Sequence, residues 1–261
     1  MQPTLACAPF HRPGWVFETK YDGWRMIALK EGARVRLISR QGVDHTARFA
    51  DLAAAVAELP ARRLVLDGEV CVFDAQLVSQ FHLLGEGGPD ELATPPVFIA
   101  FDVLQVGARD LRVRPLRDRR PALEDAITGS RFVLPALRLE RDGLDAWDQV
   151  KRGGWEGLVA KEEAGRYVGG VTRSWLKVKI RREGRFVVIG LDVPLAGACS
   201  LLLAARHGRR LVYIGRVEWG ATRTVNRADP RALHDAVDAD LRGRGGRPGH
   251  RVDSPRRRGR G

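Results

Sequence analysis

The chain is predicted to fold as an α+β protein, a large domain of antiparallel sheets and helices followed by a small β-barrel that is begun but lacks strands. Three observations carry this. Strand-like and helix-like segments follow no regular β-α-β rhythm, which a doubly wound parallel sheet would need. A hydrophilic run, Arg181-Arg182-Glu183-Gly184, interrupts the pattern and reads as a linker. Beyond it the apolar runs are short and strand-like, and a terminal stretch is almost free of apolar side chains.

From Trp15 to Ser39 the pattern reads as strands, with Lys30-Glu31-Gly32 turning the chain between the run Arg25 to Leu29 and the alternating Val35 and Leu37. Phe49, Leu52, Val56 and Leu59 then recur at helical spacing, behind Asp44 and Thr46 as caps and ahead of Pro60 as a stop. Arg63 to Phe73 and Val97 to Leu104 are β-rich, the second so continuously apolar that it should be buried. Asp142 to Arg152 reads as a helix, and Trp155 to Lys161 and Ser174 to Ile180 as further strands. Past the linker come three strand candidates, Phe186 to Val193, Ser200 to Ala205 and Leu211 to Trp219, then an amphipathic stretch from Asp229 to Leu241. The expected divisions are 1–181 for the large domain, 182–240 for the incomplete barrel and 241–261 for a disordered Arg/Gly-rich tail.

Length and composition, 261 residues with 44% hydrophobic and 29% charged, suit an enzyme-sized globular protein. No apolar run reaches the roughly 18 residues that span a bilayer, and the first ten residues lack a secretory pattern, so a cytoplasmic address is expected. Cys7, Cys71 and Cys199 are too few and too scattered for a disulfide framework or a four-cysteine zinc site. The formal net charge of +12 points to a polyanionic partner, but residues 241–261 alone contribute eight arginines against Asp253, or +7 of it. Lysine is scarce: of 44 basic residues only Lys20, Lys30, Lys151, Lys161, Lys177 and Lys179 are lysine. A chain so biased to arginine keeps lysine where a permanently protonated guanidinium cannot serve, as in a nucleophile.

Lys20-Tyr21-Asp22-Gly23-Trp24-Arg25 sets a lysine at a strand end, a glycine where the backbone turns close to a ligand, and an arginine beyond the turn. Taken alone, the same residues suit a charged surface hairpin. Asp67-Gly68-Glu69 lies in a strand-like run that puts both carboxylates on one face, fit for a divalent metal or a ribose hydroxyl, or for a solvated edge. Phe101 places a ring in an otherwise aliphatic strand, a platform for a base or an ordinary core residue. In Ser174 to Ile180, Trp175, Lys177 and Lys179 alternate with aliphatic residues. Two ammonium groups about 7 Å apart on one face repel unless an anion such as a triphosphate lies between them. Glu156 and Lys161 are five residues apart, so a regular strand points them to opposite faces and one pocket takes only one of them.

These segments, KYDGWR, LDGEV, FIAFD, EGLVAK and SWLKVK, stand in the order and approximate spacing of the covalent nucleotidyltransferases, and the chain resembles that superfamily of ATP-dependent ligases and capping enzymes. PGWVFETKYDGWR, SRQG, FVVIG and SLLLAARHGRRLVYIGRV further resemble the ligase module of bacterial end-joining DNA ligases, over about Arg12 to Val217. The resemblance implies an adenylation domain followed by an OB-fold-like domain. It makes Lys20 the nucleophile that carries AMP and Glu18 the residue that holds the adenine amino group. Arg25 and Arg40 would contact the nucleotide and the 5′-phosphate at a nick, Glu69 the ribose or the metal, and Phe101 the adenine face. Glu156 would serve the metal, Lys177 and Lys179 the α-phosphate, and Arg173 the nucleotide more weakly.

ATP and Mg²⁺, with Mn²⁺ as substitute, are the implied cofactors. Nicked double-stranded DNA is the implied partner of a monomer, with Ku and end-joining polymerase or nuclease components beside it near the nucleoid. Alternatives are an RNA ligase or capping enzyme, which the segments after Ile180 disfavour, and a catalytically weak nick-binding paralogue. The second rests on one departure. Family members end the barrel with a basic motif, typically Arg-x-Asp-Lys, that orients the leaving pyrophosphate; it is not found here, so a slowed first step is expected.

Overall fold

A computed structural model of the protein describes residues 1–85, 94–180, 185–192, 199–208 and 210–219. The chain divides into two compact units, Met1–Ile180 and Arg181–Gly261. The expected linker, the stretch Asp229 to Leu241 and the Arg/Gly tail lie outside the described residues.

The first unit opens with β1 (Gln2–Leu5), β2 (Trp15–Thr19), β3 (Trp24–Glu31) and β4 (Arg34–Ser39), then α1 (Ala50–Ala57) and β5 (Arg63–Cys71). It continues through β6 (Val97–Val106), β7 (Arg109–Asp110), α2 (Leu116–Ile127), β8 (Val133–Pro135), α3 (Gly143–Gly153), β9 (Gly157–Glu162) and β10 (Val171–Lys179). Two sheets result. One runs β4-β3-β5-β6-β7 with β8 beside β6, and the other runs β1-β10-β9-β2.

Most pairings are antiparallel, as the sequence implies, with two exceptions: β1 lies parallel to β10, and β8 parallel to β6. Parallel neighbours need a crossover, and α2 fills the one between β6 and β8. The larger sheet packs on α1 and α2 through a core that includes Leu37, Leu52, Val56, Leu66, Phe98 and Leu123. Phe17, Ala146, Val150, Leu158 and Val178 form a second core between α3 and the β2-β9-β10 surface.

Local chemistry accounts for the element ends. In α3 the Asp142 carboxylate accepts from the backbone N–H groups of Leu144 and Asp145, and Gly154 stops the helix in the left-handed region at φ 65°. The expected caps of α1 are corrected. Asp44 accepts from the Thr46 backbone and hydroxyl in a turn of its own, and α1 starts later, at Phe49, without a side-chain cap. Lys30, one of the six lysines, is structural: it is buried and donates to the Leu59 carbonyl.

In the second unit β11 (Val187–Asp192), β12 (Cys199–His207) and β13 (Arg210–Trp219) form an antiparallel sheet in that order. Among the described residues this sheet stays open and closes no barrel. No helix among them is long and apolar enough to cross a membrane.

Candidate active site

The register of β2 on β9 places the first motif. Glu18 lies opposite Val159 and Thr19 opposite Leu158, and the Lys20 amide donates to the Gly157 carbonyl at 2.9 Å. Lys20 thus leaves the strand beside Glu156, and its ammonium meets Glu156 Oε2 at 2.5 Å. Lys179 holds the other oxygen, Oε1, at 2.7 Å. Strand parity expected Glu156 and Lys161 to be alternatives. Of the two, Lys161 lines the cleft and turns to Glu18, while Glu156, just before β9, is outside the lining and holds Lys20 and Lys179.

Two motif glycines are steric requirements. A Cβ at Gly23 would stand 2.4 Å from the Val70 carbonyl oxygen, and one at Gly157 would stand 2.1 Å from that of Val178. No side chain fits where the lysine loop crosses β5 or where β9 meets β10.

Between the two sheets opens a cleft of about 540 Å³, lined by residues that include Glu18, Lys20, Arg25, Glu69, Phe101, Lys161 and Trp175. Its floor is a buried ionic cluster. Glu18, 1% exposed, accepts from Lys161 at 2.6 Å and from Arg120 of α2 at 3.2 Å. Lys161 also donates to the Phe101 carbonyl at 3.0 Å, and its ammonium lies 4.2 Å from the Trp175 ring centroid.

The wall is fixed by Arg25, whose guanidinium clamps Asp67 at 3.0 and 2.6 Å and lies 5.1 Å from the Phe101 centroid. Asp67 is fully buried, and the Tyr167 hydroxyl donates to it at 2.7 Å. The expected pairing of Asp67 with Glu69 for one metal or ribose is corrected. Asp67 is spent on Arg25 and Tyr167 while Glu69 lines the cleft.

The electrostatics follow from burial and neighbours. Burial pushes Glu69 up to about 7 against the pull of Lys20 and Arg25, with Asp67 and Glu156 adding to the rise. For Glu156 burial acts upward too, but Lys20 and Lys179 outweigh it and hold the carboxyl below its usual range. Lys177 is pushed down by burial and then by the ammonium groups of Lys179 and Lys20.

Of the remaining sequence candidates, Arg40 is exposed and lines a second, shallower hollow shared with Arg25 and Asp67. Lys177 is half-buried and Lys179 exposed. Arg173 is exposed on β10, apart from the residues that line either cavity. Sequence reasoning gave no role to Lys161, Trp175, Tyr167 or Arg120. Lysine scarcity marks Lys161; nothing marks Arg120 among so many arginines. Among the described residues, no group of three His, Cys, Asp or Glu side chains is arranged to hold a metal unaided.

Known proteins resemble this chain in sequence and fold. The family model "ATP dependent DNA ligase domain" matches residues 3–179. The multifunctional non-homologous end joining DNA repair protein LigD of Mycobacterium tuberculosis is 35% identical over 211 residues, covering 79% of this chain and 27% of the relative. DNA ligase C of the same organism is 34% identical over 204 residues, covering 72% and 56%. The chain therefore spans about a quarter of the length of the one relative and just over half of the other. A solved structure of mycobacterial DNA ligase D complexed with ATP and MES superimposes with a TM-score of 0.62 at 30% identity, over 92% of this chain and 77% of that one. With the family model spanning both sheets and every cleft residue named above, the chain belongs to the ATP-dependent DNA ligase family.

Proposed function

We propose that this chain is a DNA-joining module that uses ATP to seal nicks through a lysyl-AMP intermediate on Lys20. The observation that carries the reading is the placement of Lys20 in a cleft with aromatic side chains and a buried ionic floor. Phe101 and Trp175 supply aromatic walls. Glu18 offers carboxylate lone pairs beyond those taken by Lys161 and Arg120. Lys161, with two of its protons on Glu18 and Phe101, keeps one N–H. An acceptor beside a donor matches the adenine edge, an exocyclic amine beside a ring nitrogen, and mismatches the inverted edge of a 6-oxopurine.

At the other end Lys177 and Lys179 face the phosphates, and Lys20 attacks the α-phosphorus. The P–N bond forms as the bond to pyrophosphate breaks, and the ammonium proton leaves before or with attack. AMP then passes to the 5′-phosphate of a nick, in reach of Arg25 and Arg40, and the 3′-hydroxyl displaces AMP to close the strand. Glu69 and Glu156 are hard oxygen donors of the kind that hold Mg²⁺ together with substrate phosphates and water, and the ion supplies charge neutralisation at the α-phosphate when bound. Arg173 is left with a peripheral role. The names of the relatives support a setting in bacterial end joining; within that setting the proposal takes Ku and polymerase or nuclease components as companions and the second unit as the counterpart of an OB-fold.

The test is covalent labelling. Lys20→Arg and Lys20→Ala, incubated with α-labelled ATP and run on a denaturing gel, are both expected to lose the label completely, because arginine keeps the charge but has no nucleophilic lone pair. Label surviving in either variant rejects the assignment.

A further inference from the structure

The structure assigns Arg120, on α2 and outside the cleft lining, as a positioning residue that fixes the Glu18 carboxylate and so sets the preference for adenine over 6-oxopurine nucleotides. The inference rests on the reading of Glu18 and Lys161 as the base-recognition edge.

Arg120 is 5% exposed and divides its guanidinium among β2, the residue after β8 and a carboxylate of its own helix. Nη1 donates to Glu18 Oε1 at 3.2 Å, Nη2 to the Ala136 carbonyl at 2.8 Å, and Nε to Glu124 at 2.6 Å. A planar fork held at Ala136 and Glu124 has one orientation left, and that orientation presents Nη1 to Glu18 from a residue outside the cleft lining. Lys161 holds Oε2 from the cleft side.

The carboxylate is thus pinned at both oxygens, and its plane and spare lone pairs are set by two cations that approach from different elements. With Arg120 gone, Lys161 alone would hold Glu18. A carboxylate held by one flexible ammonium turns toward it, and the lone pairs that meet an exocyclic amine turn with it. The neighbouring arginine does different work. Arg119 is wholly buried on Asp102 at 2.7 and 2.6 Å and on the carbonyls of Arg114 and Gly165, and it touches no cleft residue by hydrogen bond.

The experiment measures Lys20 labelling against concentration of α-labelled ATP and α-labelled ITP, whose base carries a carbonyl where adenine carries the amine. Wild type, Arg120→Met and Arg120→Lys are compared as full chains. Wild type is expected to prefer ATP. In Arg120→Met the apparent KM for ATP should rise about tenfold with the saturated rate within about twofold, and the KM for ITP should stay, so the preference falls about tenfold. Arg120→Lys should recover part of it.

A preference unchanged in both variants, with only Tm lowered, overturns the assignment and leaves Arg120 as scaffold. If Arg120→Met does not fold, Arg120→Lys decides: a preference equal to wild type overturns the proposal, and a fall of about threefold or more supports it. Wild type showing no preference for ATP over ITP overturns the base-recognition reading itself, a result visible before any variant is made.

Discussion

Lys20 donates to Glu156, and the same carboxylate holds Lys179, so one acid organises two cations. Glu69 sits across from them with its carboxyl pushed up to about 7 by burial. A carboxyl raised in the folded state stabilises the fold fully below its unfolded value near 4.5, and that contribution is lost as pH rises through about 7. In EDTA, the wild-type Tm should therefore fall across this window by more than that of Glu69→Gln. Parallel Tm curves for the two proteins would reject the shift. At the same time Glu69 must ionise to serve a cation, so Mg²⁺-dependent labelling of Lys20 should rise between about pH 6 and 8. Phe101 is the other single-residue case, half-buried with its ring under the Arg25 guanidinium. Phe101→Ala should raise the KM for ATP about tenfold with the fold retained, since a stacked ring contributes about 1 kcal/mol or more beyond area. Titration calorimetry showing unchanged ATP affinity would make it a core residue instead.

At the scale of elements, α2 does the most and was the least visible in the sequence. Its buried positions are Leu116, Arg119, Arg120, Leu123, Ala126 and Ile127, a regular helical stripe in which two members are arginine. A hydropathy pattern reads those two as solvent-facing, and Pro121 inside the helix further hides it. What lets them be inside is acids and carbonyls from distant elements: Asp102 on β6 for Arg119, and Glu18 on β2 for Arg120. Removing one partner of a fully buried pair strands the other charge. Arg119→Met should thus cost about 3–5 kcal/mol of unfolding free energy, and the double variant Arg119→Met/Asp102→Leu should recover most of it in urea titrations. A double variant no better than the single one would show that Arg119 acts through the Arg114 and Gly165 carbonyls. By contrast β3, β4, α3 and β10 were legible, because each needs only its own alternation or caps.

For the whole molecule, the division after Ile180 leaves each of the apolar clusters described above within the first unit. A fragment ending at Ile180 should therefore unfold cooperatively on heating, with a Tm within about 8 °C of the full chain. A broad, non-cooperative transition would mean that the second unit completes the core. The formal charge of +12 is a property of the chain more than of the site: +7 of it resides in residues 241–261, while the cleft lining sets Glu18 and Glu69 among Lys20, Arg25 and Lys161.

By itself the sequence determined the α+β class, the segments that meet around the cleft and the family they resemble, because those rest on short-range spacing and on residue types with few chemical substitutes. The lysines were a partial guide: Lys20, Lys161, Lys177 and Lys179 stand in the segments that meet at the cleft, whereas Lys30 is spent on the Leu59 carbonyl and Lys151 on Asp148. Only the tertiary structure decided how the carboxylates are shared. Asp67 goes to Arg25 and Tyr167, Glu156 to Lys20 and Lys179, and Glu18 to Lys161 and Arg120. Parity along a strand says which face a side chain takes, but a residue just before a strand and a helix residue 102 positions away along the chain set which charge meets which. Electrostatic pairing depends on distances of a few ångströms between segments remote in sequence, and those distances exist only once the sheets have closed on each other.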